Sequence, residues 1–145
     1  GQIQVMSAGS GVKHSEVNPS KTERLHLIQV WIMPDRPSLK PRYAEWTPTL
    51  EQLESPKVLI ISNDGREGSA HISQDADVYR VKTKSAGTVS HELRAGRGLW
   101  FQLIGGEVEI GGVKLAPGDA VKSEEAGTFA FKSAGPVEAL LFDLA

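Results

Sequence analysis

His14 and Glu16 are the two residues of this chain whose types and spacing point most directly to chemistry. They stand two apart, shortly after a glycine-rich turn that ends at Gly11. Residues two apart in an extended chain point to the same side, so an imidazole and a carboxylate would face one space. Both groups are common ligands of divalent transition metals. The pair predicts half of a metal site, although H-x-E is also typical of a strand that simply ends at a loop.

The remaining histidines give weaker signals. His26 lies in an apolar run, where a partly buried histidine with a hydrogen-bond partner is favoured over a third metal ligand. His71 stands alone, and His91 is followed by Glu92. Adjacent residues on a strand face opposite ways, so His91 and Glu92 do not form a ligand pair. From spacing alone, these residues add no complete site to the first pair.

Composition limits the function classes. The 145 residues include no cysteine, which excludes disulfides and thiolate metal sites, so that any metal must be held by His, Asp or Glu. The formal net charge is -2 and there is no long basic block, which argues against direct nucleic-acid binding. No apolar run approaches the roughly 18 to 20 residues of a membrane-spanning helix. A cytoplasmic protein is expected.

The elements that must position these residues are predicted to be short strands. Fifteen glycines and eight prolines interrupt runs of Val, Ile, Leu and aromatic residues, a pattern typical of an all-β sandwich or barrel. Leu25 to Met33 has the strongest strand pattern, and both of its faces are expected to be buried. Residues 34 to 41 contain three prolines and are predicted to be a connector. The predicted strands are 2–7, 25–33, 58–62, 70–74, 78–82, 88–93, 99–104, 107–110, 113–115, 120–122, 128–132 and 137–143.

One short helix is predicted between the connector and the later strands. Thr47 would be its N-cap, Pro48 its first residue and Glu54 its end, because Pro56 stops the helix.

Two stretches resemble known families. Gly105 to Val121, with its paired glycines and Pro117-Gly118-Asp119 turn, resembles the cupin signature. Gln4 to Glu16 closely resembles the pirin family, particularly bacterial pirin-like proteins similar to quercetin 2,3-dioxygenases. The likeness continues through residues 18–20, 25–34 and 41–43, and more loosely from Val58 to Asp143 as the second lobe of a bicupin.

The pirin resemblance implies a role for the first pair. In that family an H-x-E motif supplies two of the four ligands of one mononuclear metal centre, which places His14 and Glu16 among the metal ligands. The other two ligands are histidines of an H-x-H motif, which this sequence lacks. The resemblance therefore implies the C-terminal half of a pirin-like protein. In the second lobe, the positions that correspond to the metal ligands of the cupin motifs hold no ligand set; Ala130, for example, stands at a histidine position.

The expected architecture is all-β. Residues 1–45 would be the remnant of a truncated N-terminal pirin cupin lobe and its linker, contributing its last three or four strands. Residues 46–145 would form a C-terminal cupin lobe, a jelly-roll β-sandwich or barrel with one short helix.

The resemblance also implies a function. The intact family form would be a metal-dependent quercetin 2,3-dioxygenase-like oxidoreductase acting on a flavonol, with Glu16 as ligand and catalytic base. The cofactor would be one divalent transition metal, iron first, with copper, manganese or nickel as alternatives, held weakly by this chain alone. The alternatives are a non-catalytic, metal-responsive protein-binding module of the transcription-cofactor type, and a fragment that self-associates through open sheet edges.

Overall fold

The computed structural model describes residues 2–145, in which there are twelve β-strands and one α-helix. The helix, α1, spans Leu50–Glu54, and a 3-10 turn spans Arg66–Gly68. The strands are β1 (Ile3–Ser7), β2 (Arg42–Trp46), β3 (Lys57–Ser62), β4 (Ala70–His71), β5 (Ala76–Thr83), β6 (Gly87–Leu93), β7 (Gly98–Gly105), β8 (Val108–Ile110), β9 (Val113–Leu115), β10 (Ala120–Ser123), β11 (Gly127–Ser133) and β12 (Val137–Leu144).

Strands β3 to β12 form two packed sheets. The six-stranded sheet has the order β10-β7-β12-β5-β3-β4, and the four-stranded sheet has the order β6-β11-β8-β9. Neighbouring strands are antiparallel except β3 and β4, which are parallel. The inner faces enclose an apolar core in which the rings of Phe101 and Phe131 stack with centroids 4.1 Å apart. This arrangement confirms the prediction of an all-β double sheet.

The turns of this double sheet lie close to their predicted positions. Predicted strands 78–82 and 88–93 correspond to β5 and β6, whereas predicted strand 70–74 is shorter and ends at His71. Gly106 shows why glycine is needed at one turn. It has a φ of 86°, and a Cβ there would lie 2.2 Å from the carbonyl oxygen of Pro136. The β7–β8 turn can therefore pack directly against the entry to β12.

The N-terminal part contributes a separate two-stranded sheet. β1 and β2 are antiparallel, with Val5 opposite Ala44. Ile3 and Val5 pack against a second apolar cluster that includes the buried Trp46 and Phe142. The small sheet is thereby attached to the outer face of the six-stranded sheet, where Phe142 lies.

The prediction of a buried strand from Leu25 to Met33 is wrong. Residues 8–41 contain no strand, and the exposed fractions are 55% for Leu25, 87% for Trp31 and 77% for Met33. A strand needs a hydrogen-bonded neighbour, and none of the described residues pairs with this segment. The prediction of three or four strands in residues 1–45 is also corrected, because the described part of this range contributes only β1 and most of β2. The sequence analysis missed β2, which begins directly after the prolines of the connector.

Helix α1 is confirmed, but its start is corrected. The N-cap is Thr49 and not Thr47: its hydroxyl accepts a hydrogen bond from the Gln52 amide, and the Gln52 side chain accepts one from the Thr49 amide. This reciprocal arrangement requires Gln or Glu three residues after the cap, and Thr47 has Leu50 there. Among the described residues, no helix is long and apolar enough to cross a membrane.

Candidate metal centre

His14 and Glu16 lie beyond the end of β1, in an extended loop and not in a strand. A tight turn leads into this loop, with the Gly11 amide donating a hydrogen bond of 2.7 Å to the carbonyl of Ala8. Gly9 in the same turn has a φ of 51°, and a Cβ there would lie 2.1 Å from the carbonyl oxygen of Leu39. Only glycine permits this contact. The turn is therefore held against the segment that leads into β2.

The two side chains converge as the spacing predicts. His14 Nδ1 and Glu16 Oε1 are 3.6 Å apart, and the side chains are 36% and 44% exposed. Metal–nitrogen and metal–oxygen bonds of about 2.1 Å place two ligand atoms roughly 3 to 3.5 Å apart on one ion. The pair is thus close to the separation that a shared divalent cation requires, and it remains open to solvent.

The described residues bring no third ligand to this pair. Within residues 2–145, no group of three or more His, Cys, Asp or Glu side chains is placed to share one ion. His26 is exposed, so the prediction that it is partly buried is wrong. His71 is engaged elsewhere, since the Arg42 guanidinium contacts its ring at 3.1 Å and donates to its carbonyl at 2.9 Å.

The β1–β2 sheet carries a tyrosine that the sequence analysis did not single out. Tyr43 on β2 donates a hydrogen bond of 2.7 Å from its Oη to Glu45 Oε1. That hydrogen bond is the main cause of the raised pKa of Tyr43, with contributions from burial and from the negative charges of Glu45 and Glu16. The usable signal was the Y-x-E spacing, which puts both side chains on one face of β2.

The C-terminal double sheet contains a different polar cluster, around His91 and Asp143. Both are buried, at 4% exposure each, and His91 Nε2 lies 2.8 Å from Asp143 Oδ2. Lys57 Nζ lies 3.3 Å from His91 Nδ1, and Arg97 Nε donates to Asp143 Oδ1. Burial lowers the pKa of His91, so the neutral ring can donate from Nε2 and accept at Nδ1. This histidine is therefore used for hydrogen bonding within the fold.

The cluster lies at a cavity of about 570 Å³, where Arg66 also pairs with the buried Asp77. His91 and Glu92 both line the cavity. Because β6 alternates between buried and exposed residues, His91 faces the interior of the double sheet and Glu92 faces solvent. Charged groups of opposite sign occupy this space together. The chemistry of the cavity consequently differs from that of the open His14–Glu16 pair.

An apolar groove lies between residues 26–33 and the outer face of the six-stranded sheet. Its volume is about 1030 Å³, and Trp31, Trp100 and Phe142 are among its lining residues. Trp100 is 41% exposed, whereas its neighbour Phe101 is completely buried in the core. The groove exists because residues 26–33 do not pair with the six-stranded sheet and leave part of its outer face exposed.

The fold and the family comparisons define the class of the protein. Two packed, mainly antiparallel sheets form the double-sheet jelly-roll architecture that cupin domains share. Residues 59–144 match the family described as quercetinase C-terminal cupin domain, and residues 1–32 match the family described as pirin. The chain belongs to the pirin family.

Relatives and solved structures agree with this assignment. The quercetin 2,3-dioxygenase of Escherichia coli K12 is 40% identical over 144 residues, which are 99% of this chain and 61% of that protein. The crystal structure of YhhW from Escherichia coli has a TM-score of 0.91 at 39% identity and covers 100% of this chain and 61% of its own. The bacterial pirin YhhW in complex with nickel(II), also from Escherichia coli, has a TM-score of 0.89 at 39% identity, covering 99% and 61%.

A more distant structure shows the fold alone. Quercetin 2,3-dioxygenase from Acinetobacter baumannii has a TM-score of 0.60 at 16% identity, covering 73% of this chain and 40% of its own. In all, the chain spans about three-fifths of the length of the Escherichia coli proteins that it matches.

Proposed function

We propose that His14 and Glu16 supply two of the four ligands of a mononuclear metal centre in a quercetin 2,3-dioxygenase-like oxidoreductase. The observation that carries the proposal is their convergence, 3.6 Å apart and open to solvent. The names of the relatives support the reaction class, and the nickel(II) complex of a bacterial pirin supports a divalent metal. Iron is the first expectation for the ion, with copper, manganese and nickel as alternatives.

The proposed division of labour follows from the two side chains. His14 offers a neutral nitrogen, and Glu16 offers a negative oxygen that balances part of the charge of a divalent ion. When bound, the metal would supply Lewis acidity for a flavonol hydroxyl and for dioxygen. Glu16 has a second carboxylate oxygen, which can accept the proton that this hydroxyl releases. On this basis Glu16 is proposed as both ligand and catalytic base.

The site is proposed to be incomplete in this chain alone. Two further ligands would have to come from residues outside it or from a partner, because the described residues offer no third one. Two ligands should hold a metal weakly, since water would occupy the other positions. We therefore propose that the isolated chain has little activity. In this proposal residues 1–45 form part of one cupin lobe and residues 46–145 form another.

A second candidate is a non-catalytic, metal-responsive protein-binding module. The observation that favours it is the exposed apolar segment at residues 25–33, with Trp31 87% exposed. The same segment could pair with a second copy of the chain, since unpaired backbone groups invite strand addition. Sedimentation at several concentrations tests this: a mass that rises with concentration supports pairing, and a constant monomer mass contradicts it.

Oxygen consumption separates the enzyme from the binding module. The chain is loaded with iron(II) or nickel(II) and mixed with quercetin, with His14→Ala as the test variant and His26→Ala as the matched control. We expect slow, metal-dependent oxygen uptake that His14→Ala abolishes and His26→Ala retains. If the unmodified chain consumes oxygen no faster than His14→Ala does, the result would favour the binding module instead.

A further inference from the structure

The polar cavity of the C-terminal double sheet has the size of a ligand site. Its volume of about 570 Å³ lies within the roughly 300 to 1,000 Å³ that small-molecule sites occupy in proteins. Asp77 and Tyr79 line it from β5, since Val78 between them packs on the outer face of the sheet. Asp143 of β12 is paired directly with Asp77 and therefore points to the same side. Asp77, Tyr79 and Asp143 form the floor of the cavity.

The charged groups at the floor are already paired within the protein. Each of two arginines bridges a buried aspartate and an exposed one, and the two sets are Arg66 with Asp77 and Asp64, and Arg97 with Asp143 and Asp75. Lys57 adds a third positive group beside His91, so four carboxylates face three cations. An ionic ligand would lose its water here without meeting an unpaired charge of opposite sign. The floor therefore favours a neutral ligand.

Two groups at the floor keep hydrogen-bonding capacity that the described residues do not use. Asp77 is 6% exposed, and within residues 2–145 its side chain accepts a hydrogen bond only at Oδ2, from Arg66. Its Oδ1 can accept another. Arg66 is also the side-chain hydrogen-bond partner of Tyr79, and a guanidinium can only donate, so this interaction uses the Tyr79 oxygen and leaves its proton uncommitted. The floor thus offers one acceptor and one donor, two residues apart on one face of β5.

The donor is fixed in position before any ligand enters. Lys57 Nζ lies 5.0 Å from the centroid of the Tyr79 ring, and the ring of His91 packs edge-on against it, with 5.2 Å between centroids. His91 itself is held by Asp143 at 2.8 Å. A group that is already ordered loses little conformational entropy on binding. The Tyr79 hydroxyl is therefore well placed to select a ligand.

We propose that this cavity binds a small neutral molecule with several hydroxyl groups, of the monosaccharide or polyol class. A hydroxyl group both donates and accepts, so it can accept the proton of Tyr79 while it or its neighbour donates to Asp77 Oδ1. The exposed amide of Asn63 lines the opening of the cavity and offers a further donor and acceptor. None of these residues belongs to the His14–Glu16 pair, so the inference goes beyond the proposed function and does not depend on it.

The test compares three sugars that share one ring and differ in charge. Glucose is neutral, glucosamine is positive and glucuronate is negative at pH 7. Their affinities for the whole chain, and that of the neutral polyol myo-inositol, are measured by NMR titration of the backbone amides with a chelator present. We expect a neutral probe to bind and to shift the amides of residues 77–79 and 91. The charged sugars should bind about tenfold more weakly than glucose, because each brings an unpaired charge into the cavity.

Two variants test the residues that carry the proposal. Tyr79→Phe keeps the ring against Lys57 and removes only the hydroxyl, so it should weaken binding of the neutral probe about two- to tenfold, the effect of one hydrogen bond. Asn63→Ala, at an exposed position, should weaken it by a similar factor. Tyr43→Phe is the matched control, since Tyr43 lies on β2 and donates to Glu45, and it should leave the affinity unchanged.

Three results would overturn the proposal. The first is that neither glucose nor myo-inositol binds to the unmodified chain. The second is that glucosamine or glucuronate binds as tightly as glucose. The third is an affinity for the neutral probe that neither Tyr79→Phe nor Asn63→Ala lowers.

Discussion

Apolar side chains are buried in the C-terminal double sheet but exposed in residues 25–33. In the C-terminal double sheet, apolar strand residues such as Leu141 are fully buried between partner strands. In residues 25–33, apolar residues of similar pattern remain 45% to 87% exposed at Leu25, Leu27, Ile28, Val30, Trp31 and Met33. The difference shows that an apolar pattern creates a strand only where a hydrogen-bonded neighbour is present.

The histidines follow the same division. His91 is buried and exchanges hydrogen bonds with Lys57 and Asp143, which leaves it no free nitrogen. His14 is partly exposed, and its near neighbour is the Glu16 carboxylate. A histidine whose two nitrogens are occupied stabilises the fold, while one paired only with a carboxylate remains available to an ion. The candidate metal centre thus lies in the less enclosed region.

Truncating one leucine in each region should give the largest contrast. Leu141→Ala removes a fully buried side chain and leaves a cavity, so we expect it to lower the free energy of unfolding by about 2 to 5 kcal/mol. Leu25→Ala, at a side chain that is 55% exposed, should change it by no more than about 0.5 kcal/mol. Chemical denaturation of both variants measures the difference, and equal losses would mean that residues 25–33 are packed.

The pH dependence of stability should come from the buried histidine. Burial lowers the pKa of His91 in the folded state, so between this pKa and the unfolded value of about 6.5 the unfolded chain binds more protons. The contribution of His91 to the free energy of unfolding is therefore fully present above pH ~6.5. It declines as the pH falls through this window, by at most about 1.4 kcal/mol per pH unit. His91→Gln should flatten the decline measured by denaturation, and His26→Gln should not. An unchanged slope in His91→Gln would assign the effect to other groups.

The two tyrosines should titrate above their ordinary pKa for different reasons. The pKa of Tyr43 is raised mainly by its hydrogen bond to Glu45, and that of Tyr79 mainly by burial. In a Tyr79→Phe background, Glu45→Gln should lower the pKa of Tyr43 in a spectrophotometric titration. In a Tyr43→Phe background, the same change should leave Tyr79 unaltered. A Tyr43 pKa insensitive to Glu45→Gln would contradict the contact between them.

The sequence predicted the C-terminal strands well because the residues at their own ends determine where each strand stops. Glycine and proline turns such as Pro117-Gly118-Asp119 mark where each strand ends. The state of residues 25–33 could not be predicted in this way, because their burial depends on partners elsewhere. β2 was missed because three prolines precede it and only Trp46 among its five residues is buried.

The candidate site was predictable in part. The spacing of His14 and Glu16 was sufficient to bring them together, although they lie in an extended loop. Tyr43 was noted only within a family motif, and its contact with Glu45 required knowledge that residues 42–46 form a strand. The network of His91, Arg97 and Asp143 joins β6 and the turn after it to β12, about 50 residues later in the chain, which no local pattern reveals.

The most direct test of the metal centre is the amount of metal bound per chain. The protein is incubated with iron(II), manganese(II), nickel(II) or copper(II), passed through a gel-filtration column and analysed for metal, with His14→Ala and His91→Ala in parallel. The account predicts weak, substoichiometric retention that His14→Ala removes and His91→Ala preserves. Retention unaffected by His14→Ala, or lost in His91→Ala while the variant remains folded, would contradict it.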